Sequence, residues 1–323
     1  QTTTSYSYDY GGHTEWLVQS IPTQELTNPT TTTTPLKAYI KYEYDLISGN
    51  VTKVKYNEGL KDQFYHRYTY DSDNRLILTE TSCDKVIWDR DAHYDYYLHG
   101  PLKRTEIAED KLQGIDYTYT LQGWLKGINH ASLKIPNDPG MDGASQSLFA
   151  KDAFGMGLGY FNGDFTRNGS AFNSNNLYNL YTLKNRSLYN GNIANWTSQT
   201  QEPNNQMLQF PYETKGFSYR YDELNRIKTS DFSTQMQGTF GFPPRPDYGT
   251  TYSYDANGNL SSLKRKGFTA NPTGFEMDDL TYDYAPGTNK LIEVEDFVPS
   301  SNYTTDIDSI HHYSYDEIGN LIT

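Results

Sequence analysis

The chain has 323 residues, with 30 tyrosines and 14 phenylalanines but only 35% hydrophobic residues, at a mean hydropathy of −0.79. It is long enough to bury a core, yet it lacks the Leu, Ile, Val and Ala interior of a compact α/β enzyme. Its net charge of −13 argues against a nucleic-acid partner, which requires clustered Lys and Arg.

No stretch reaches the roughly 20 apolar residues of a membrane helix. Cys83 is the single cysteine, so no internal disulfide framework is expected, and it reads as a small core residue. Tyrosine must then supply much of the packing, with its ring covered and its hydroxyl wet or hydrogen-bonded.

Read along the chain, one pattern recurs: Tyr-x-Tyr-Asp, two residues, Gly or Asn, a polar residue, then an aliphatic one. The first copy is YSYDYGGHT from Tyr6, followed by a proline-bracketed, low-complexity segment at 28–35 that reads as a loop or linker. Then come YEYDLISGNV from Tyr42, with one extra residue, YTYDSDNRL from Tyr68, YDYYLHGPL from Tyr94 and YTYTLQGWL from Tyr117. Residues 131–216 break the pattern. They are richer in Asn, Gly and Ser, with short aromatic strands expected near 158–165, 177–183 and 210–212 and longer turns between them. The pattern returns with YRYDELNRI from Tyr219, YSYDANGNL from Tyr252, YDYAPGTNKL from Tyr282 and YSYDEIGNL from Tyr313. The expected division is therefore 1–130, 131–216 and 217–323.

Each copy has a readable chemistry. Tyr-x-Tyr sets two rings on one face of a strand, because side chains alternate with period two. The pairs are Tyr42/Tyr44, Tyr68/Tyr70, Tyr219/Tyr221, Tyr252/Tyr254 and Tyr313/Tyr315. The following Asp45, Asp71, Asp222, Asp255 or Asp316 opens a turn by accepting backbone N–H groups two residues on. A Gly or Asn, such as Gly258 or Gly319, takes the left-handed conformation that closes a type I turn with a G1 bulge. The next polar residue is expected to be exposed, and the aliphatic residue restarts a strand. Every unit is thus a hairpin, and the chain is all-β, a tandem array of antiparallel hairpins. The tyrosines read as a stacking ladder and the aspartates as turn formers. An aromatic platform for sugars is the functional alternative for the rings.

Asp138, Asp142, Asp152 and Asp164 offer oxygen ligands suited to Ca²⁺, although their spacing matches no EF-hand or RTX loop. No other cofactor is expected. Asp138-Pro139-Gly140 reads as a turn. The seven histidines are scattered, and the adjacent His311 and His312 would face opposite sides of a strand, poor geometry for zinc. No Ser/His/Asp order, glycine-rich phosphate loop or carboxylate pair points to an enzyme.

Written out in nine copies, the pattern resembles the YD/RHS repeat family, relatives of teneurins and of insecticidal toxin-complex components. Segments 121–129 (LQGWLKGIN), 157–165 (GLGYFNGDF) and 188–196 (LYNGNIANW) share that family's idiom. The resemblance implies a curved or spiralling sheet forming part of a hollow shell in a secreted or surface-exposed bacterial protein. It implies a C-terminal toxin domain as content, the rest of the polypeptide as partner, and secretion machinery or a surface receptor as further contacts. About 18 strands spaced about 4.8 Å apart make a ribbon of only about 86 Å, so encapsulation is expected of a longer parent. The rival expectation is a surface-adhesion or glycan-binding module using exposed tyrosines and the loops of 131–216.

Overall fold

The computed structural model describes residues 2–21, 36–165, 187–201, 214–236, 239–241, 248–267, 276–299 and 311–322. The threonine-rich segment and the strands expected near 177–183 and 210–212 lie outside the described residues. The structure is all-β: the described residues hold twenty strands, one 3-10 turn at Ile135–Asn137, and antiparallel pairing throughout. The chain divides into two compact units, Gln1–Asp116 with Asp142–Lys151, and Tyr117–Met141 with Asp152–Thr323.

In the first unit, the strands are β1 (Thr3–Tyr8), β2 (Thr14–Ile21), β3 (Leu36–Tyr44), β4 (Val51–Tyr56), β5 (Phe64–Tyr70), β6 (Leu76–Ser82), β7 (Asp89–Tyr96), β8 (Leu102–Ile107) and the start of β9 (Gln113–Tyr119). Each pairs with the next. In the second unit, the end of β9 is followed by β10 (Leu125–Ile128), β11 (Phe154–Gly159), β12 (Asn195–Thr200), β13 (Lys215–Tyr221) and β14 (Ile227–Met236). Then come β15 (Thr239–Gly241), β16 (Thr250–Tyr254), β17 (Leu260–Lys266), β18 (Glu276–Tyr284), β19 (Leu291–Asp296) and β20 (His311–His312). Pairing is again sequential, except that β14 pairs with both β15 and β16. Among the described residues, neither unit's sheet pairs its first strand with its last.

Six of the repeat hairpins kink at the same place. The register shifts between Glu43 and Tyr44, Thr69 and Tyr70, Asp95 and Tyr96, Arg220 and Tyr221, Ser253 and Tyr254, and Asp283 and Tyr284. This is the bulge that accompanies a type I turn closed by a left-handed residue. After Tyr70, Tyr221 and Tyr254 that residue is Asn74 (φ 60°), Asn225 (φ 64°) and Gly258 (φ 92°). Asn tolerates this conformation through local hydrogen bonding, and glycine through the absence of a Cβ.

The aspartate knits the turn together. Asp71 Oδ1 accepts the N–H groups of Asp73 and Arg75, both at 2.9 Å, and Asp222 does the same for Leu224 and Arg226, both at 2.9 Å. Here the polar residue after Asn or Gly departs from expectation. Arg75 and Arg226 are half-buried, because each guanidinium returns to its own aspartate, at 2.8 and 2.6 Å. Asn259, also half-buried, reaches back to Asp255 at 2.9 Å; Asn320 reaches Asp316 at 2.8 Å but is exposed, as expected, as is Lys290.

Burial is small or polar in character. Ala38, Ala92, Ala194, Leu280 and Val294 are covered, but Lys126, His130, Asn195, Thr197 and Asp278 are as fully buried as any. Cys83 is exposed, contrary to its expected place in a core. It sits in the loop after β6, where its carbonyl accepts Gln63 Nε2 at 3.0 Å.

Turn hydrogen bonds hold the carboxyls of Asp71, Asp222 and Asp316 below the ordinary value of 3.8, mainly through backbone N–H donors, and that of Asp255 mainly through Asn259. A depressed carboxyl stabilises the fold above its unfolded pKa and loses that contribution as pH falls through the folded value. The urea midpoint is therefore expected to stay level down to about pH 4 and to drop below it. A chain carrying Asp71→Asn and Asp222→Asn should show a lower midpoint at neutral pH and a shallower fall in acid, measurable by equilibrium denaturation from pH 7 to pH 2.5.

Candidate functional site

Beyond the backbone ladder, the feature that joins one hairpin to the next at six seams is the hydroxyl of the second tyrosine. Where the ladder between neighbouring hairpins stops, one carbonyl remains beyond the last pair. In the first unit, the pairings Trp16↔Lys41, Lys53↔Arg67 and Leu78↔His93 end their ladders. Tyr44 then donates to the Thr14 carbonyl at 2.8 Å, Tyr70 to Val51 at 2.8 Å and Tyr96 to Leu76 at 2.7 Å. In the second unit, Tyr221 donates to Ile193, Tyr254 to Ile227, each at 2.8 Å, and Tyr284 to Leu260 at 2.9 Å. The offset is constant: two residues before the last paired position on one strand, three after it on the other. Burial raises the phenols of Tyr70, Tyr96, Tyr254 and Tyr284 above their ordinary value, so they remain donors.

Two further contacts follow the same seams. The turn arginine of one hairpin lies over the second tyrosine of the next, Arg75 over Tyr96 at 4.7 Å and Arg226 over Tyr254 at 4.6 Å. Turn asparagines also bond from hairpin to hairpin, Asn50 to Asn74 at 3.3 Å, Asn192 to Asn225 at 3.0 Å and Asn259 to Asn289 at 2.9 Å. Rings of the Tyr-x-Tyr type pair along a strand, as Tyr42 and Tyr44 do at 6.4 Å. Cross-strand ring contacts in the second unit run through Trp196–Phe217 at 5.6 Å and Phe217–Phe232 at 5.2 Å. The repeat tyrosines Tyr68, Tyr219, Tyr252, Tyr313 and Tyr315 are half-buried.

Two of the four aspartates considered for Ca²⁺ are engaged by cations of the chain. Asp142 receives Arg104 Nη2 on both oxygens, at 2.9 and 3.0 Å, while Arg104 Nη1 donates to Asp116 at 2.6 Å. The Phe149 ring lies 4.5 Å from the guanidinium. Burial opposes the charge of Arg104, but Asp142 and Asp116 outweigh it and raise its pKa. Gly114 leaves the space, since a Cβ there would overlap the Arg104 guanidinium and the Asp142 carboxylate. In the second unit Asp164 pairs with Lys126 at 2.8 Å and accepts the Tyr160 N–H at 2.9 Å. The exposures of Lys126 and Asp164 are 1% and 4%, so burial pulls the ammonium below its ordinary value against the pull of the carboxylate. Asp138 is buried and ends the 3-10 turn, and Asp152 is buried ahead of β11.

His130 is the buried histidine of this region. Its Nδ1 accepts the Ser132 N–H at 3.1 Å and lies 2.7 Å from the Ser132 hydroxyl. Burial, and then Lys134, push its pKa down to about 4, so the ring is neutral near pH 7. The Ser132 oxygen also accepts Asn137 Nδ2 at 3.1 Å, which makes the pair a fastener of its own loop. Sequence reasoning missed the hydroxyl ties and both buried ion pairs. A signal existed for one of them: Lys126 interrupts an apolar run within 121–129, and Asp164 lies in 157–165.

No family model matches the sequence, and no curated protein matches it. Solved structures do. A crystal structure of TcdB2-TccC3 without its hypervariable C-terminal region aligns at a TM-score of 0.42 and 12% identity, over 98% of this chain and 12% of that one. TcdB2-TccC3-Cdc42 aligns at 0.39 and 14% identity, over 99% of this chain and 15% of that one. The Tc holotoxin pore of Photorhabdus luminescens, with a TccC3 point mutation, aligns at 0.24 and 14% identity, over 99% and 16%. The chain thus spans 12% to 16% of the length of these structures.

Tyr254→Phe should remove the tie to Ile227 and lower stability by about 0.5–1.5 kcal/mol in urea unfolding, the net value of one such bond. Lys126→Met should cost more, about 3–5 kcal/mol, because it leaves the Asp164 charge buried without its cation.

Proposed function

We propose that this chain is a non-catalytic wall segment of a longer YD/RHS-type polypeptide, part of a shell that encloses or presents a C-terminal toxin domain. The observation that carries the reading is the constant seam. At six seams a hairpin is tied to the strand before it by one tyrosine hydroxyl at one offset, so the sheet grows by adding equivalent units, as repeat architectures do.

The repeat carboxylates favour a structural role as well. Asp71, Asp222, Asp255 and Asp316 are committed to the N–H groups and side chains of their own turns, leaving them poorly placed for acid–base work on a substrate. The reading assigns the protein to the secreted or bacterial-surface compartment and needs no cofactor. Its partners are the remainder of the polypeptide, the toxin domain and the secretion machinery that exports them. Folding by sheet packing without disulfides is compatible with export.

The test is to produce the longer polypeptide with this chain in place and image it by electron cryomicroscopy, alongside protease treatment of intact producing cells. The hairpins are expected in a wall around a lumen that holds the C-terminal domain, and the chain is expected to be cut from outside the cell. A strip with both faces in solvent and no lumen would overturn the proposal.

A further inference from the structure

One face of the first unit gathers like charges of positive sign, where most charged cross-strand pairs of the sheet match opposite signs; the acidic pair Asp283↔Glu293 is the counterpart of negative sign. Cations facing carboxylates across strands are the favourable arrangement, and like charges directly opposite each other are destabilising. Arg67 faces Glu80, Arg104 faces Asp116, Lys264 faces Asp279 and Arg265 faces Asp278. Between β3, β4 and β5, however, Lys41 lies directly opposite Lys55, and Lys53 directly opposite Arg67. Alternation places Trp16, opposite Lys41, and Tyr65, opposite Lys55, on the same face.

This face is concave. A cleft of about 240 Å³ is lined by Lys53, Lys55, Tyr65, Arg67, Lys85 and Trp88. A second, of about 290 Å³, shares Lys55 and adds Trp16, Tyr39 and Lys41. Five cations therefore line the two clefts, against three carboxylates that pair with them: Glu43 and Glu58 with lysines, and Glu80 with Arg67. Lys41 makes no ion pair among the described residues. This is a local positive excess on a chain of net charge −13. Trp16 and Tyr39 are 39% and 46% exposed, and Trp88 lies flat enough for the Arg67 guanidinium to sit 4.2 Å from its ring.

We propose that this face binds an acidic oligosaccharide. Its carboxylate or sulfate groups sit between the opposed cations and offset their repulsion, its rings lie on Trp16, Tyr39 and Trp88, and its hydroxyls donate to Glu43 and Glu58. Flat rings with a polar edge suit pyranose faces, and the surrounding charges fix the orientation of the ligand. A nucleic-acid strand would need an unbroken run of cations along its backbone, whereas Glu43, Glu58 and Glu80 interrupt the cations of this face.

The test is calorimetric titration of the whole chain with a heparin tetrasaccharide, tetragalacturonate, neutral maltotetraose, inorganic sulfate and a short single-stranded DNA. At least one acidic sugar is expected to bind, more weakly as NaCl is raised, and the two acidic probes distinguish sulfate from carboxylate recognition. Maltotetraose, sulfate and DNA are expected not to bind. Lys53→Thr should weaken binding at least tenfold while leaving the urea midpoint unchanged or raised, since it removes one of two opposed charges. Trp16→Ala should weaken binding with the salt dependence retained. Absence of binding by both acidic sugars would overturn the proposal. So would equal binding of DNA or free sulfate, or a Lys53→Thr chain that is less stable but binds normally.

Discussion

The ladder between neighbouring hairpins, extended at six seams by the hydroxyl of the second tyrosine, is the contact on which everything beyond a single hairpin depends. Strands of neighbouring hairpins part before the turn is reached, because each turn carries a bulge and the pairing cannot follow it. One main-chain carbonyl is left past the last rung, half-covered and in need of a donor. A phenol reaches it where a backbone amide cannot. Phenylalanine would fill the same space and leave the carbonyl without this donor, which is a physical reason for a chain of 30 tyrosines and 14 phenylalanines.

Much of the fold was legible in the sequence for equally local reasons. The hairpin is encoded within nine residues: alternation fixes the faces, aspartate fixes the turn, and Asn74 or Gly258 closes it. Less legible were contacts between residues far apart in the chain. Tyr254 and Ile227, or Lys126 and Asp164, meet only once register is set, and nothing in their immediate sequence specifies the partner. The exposed place of Cys83 was missed because residue type speaks to average burial, whereas this residue follows β6 in an open loop. The middle segment's aspartates stood out by composition, but the cations two of them meet did not. Their partners, Arg104 for Asp142 and Lys126 for Asp164, come from strands of the flanking repeats.

The two units solve the same difficulty with charge. With few large aliphatic residues to bury, each covers ionic groups that must then be matched. Arg104 with Asp116 and Asp142, and Lys126 with Asp164, give directionality that small side chains such as Ala38 or Ala194 cannot supply. Matching is demanded there because burial magnifies any imbalance. Near the surface the demand relaxes, and opposed lysines are tolerable on the β3–β5 face, where water and three glutamates share the load.

A constant seam also bears on inheritance. Two before and three after is the same relation at all six seams where it is made, so removing a hairpin there, or copying one, brings together new neighbours that already fit. The register of the flanking units need not be renegotiated, and the differences in spacing between copies are absorbed by the connections between hairpins. Such a chain can lengthen or shorten by whole repeats through unequal recombination, with little intermediate loss of folding, while a substitution at a single tyrosine is felt only by the hairpin beside it.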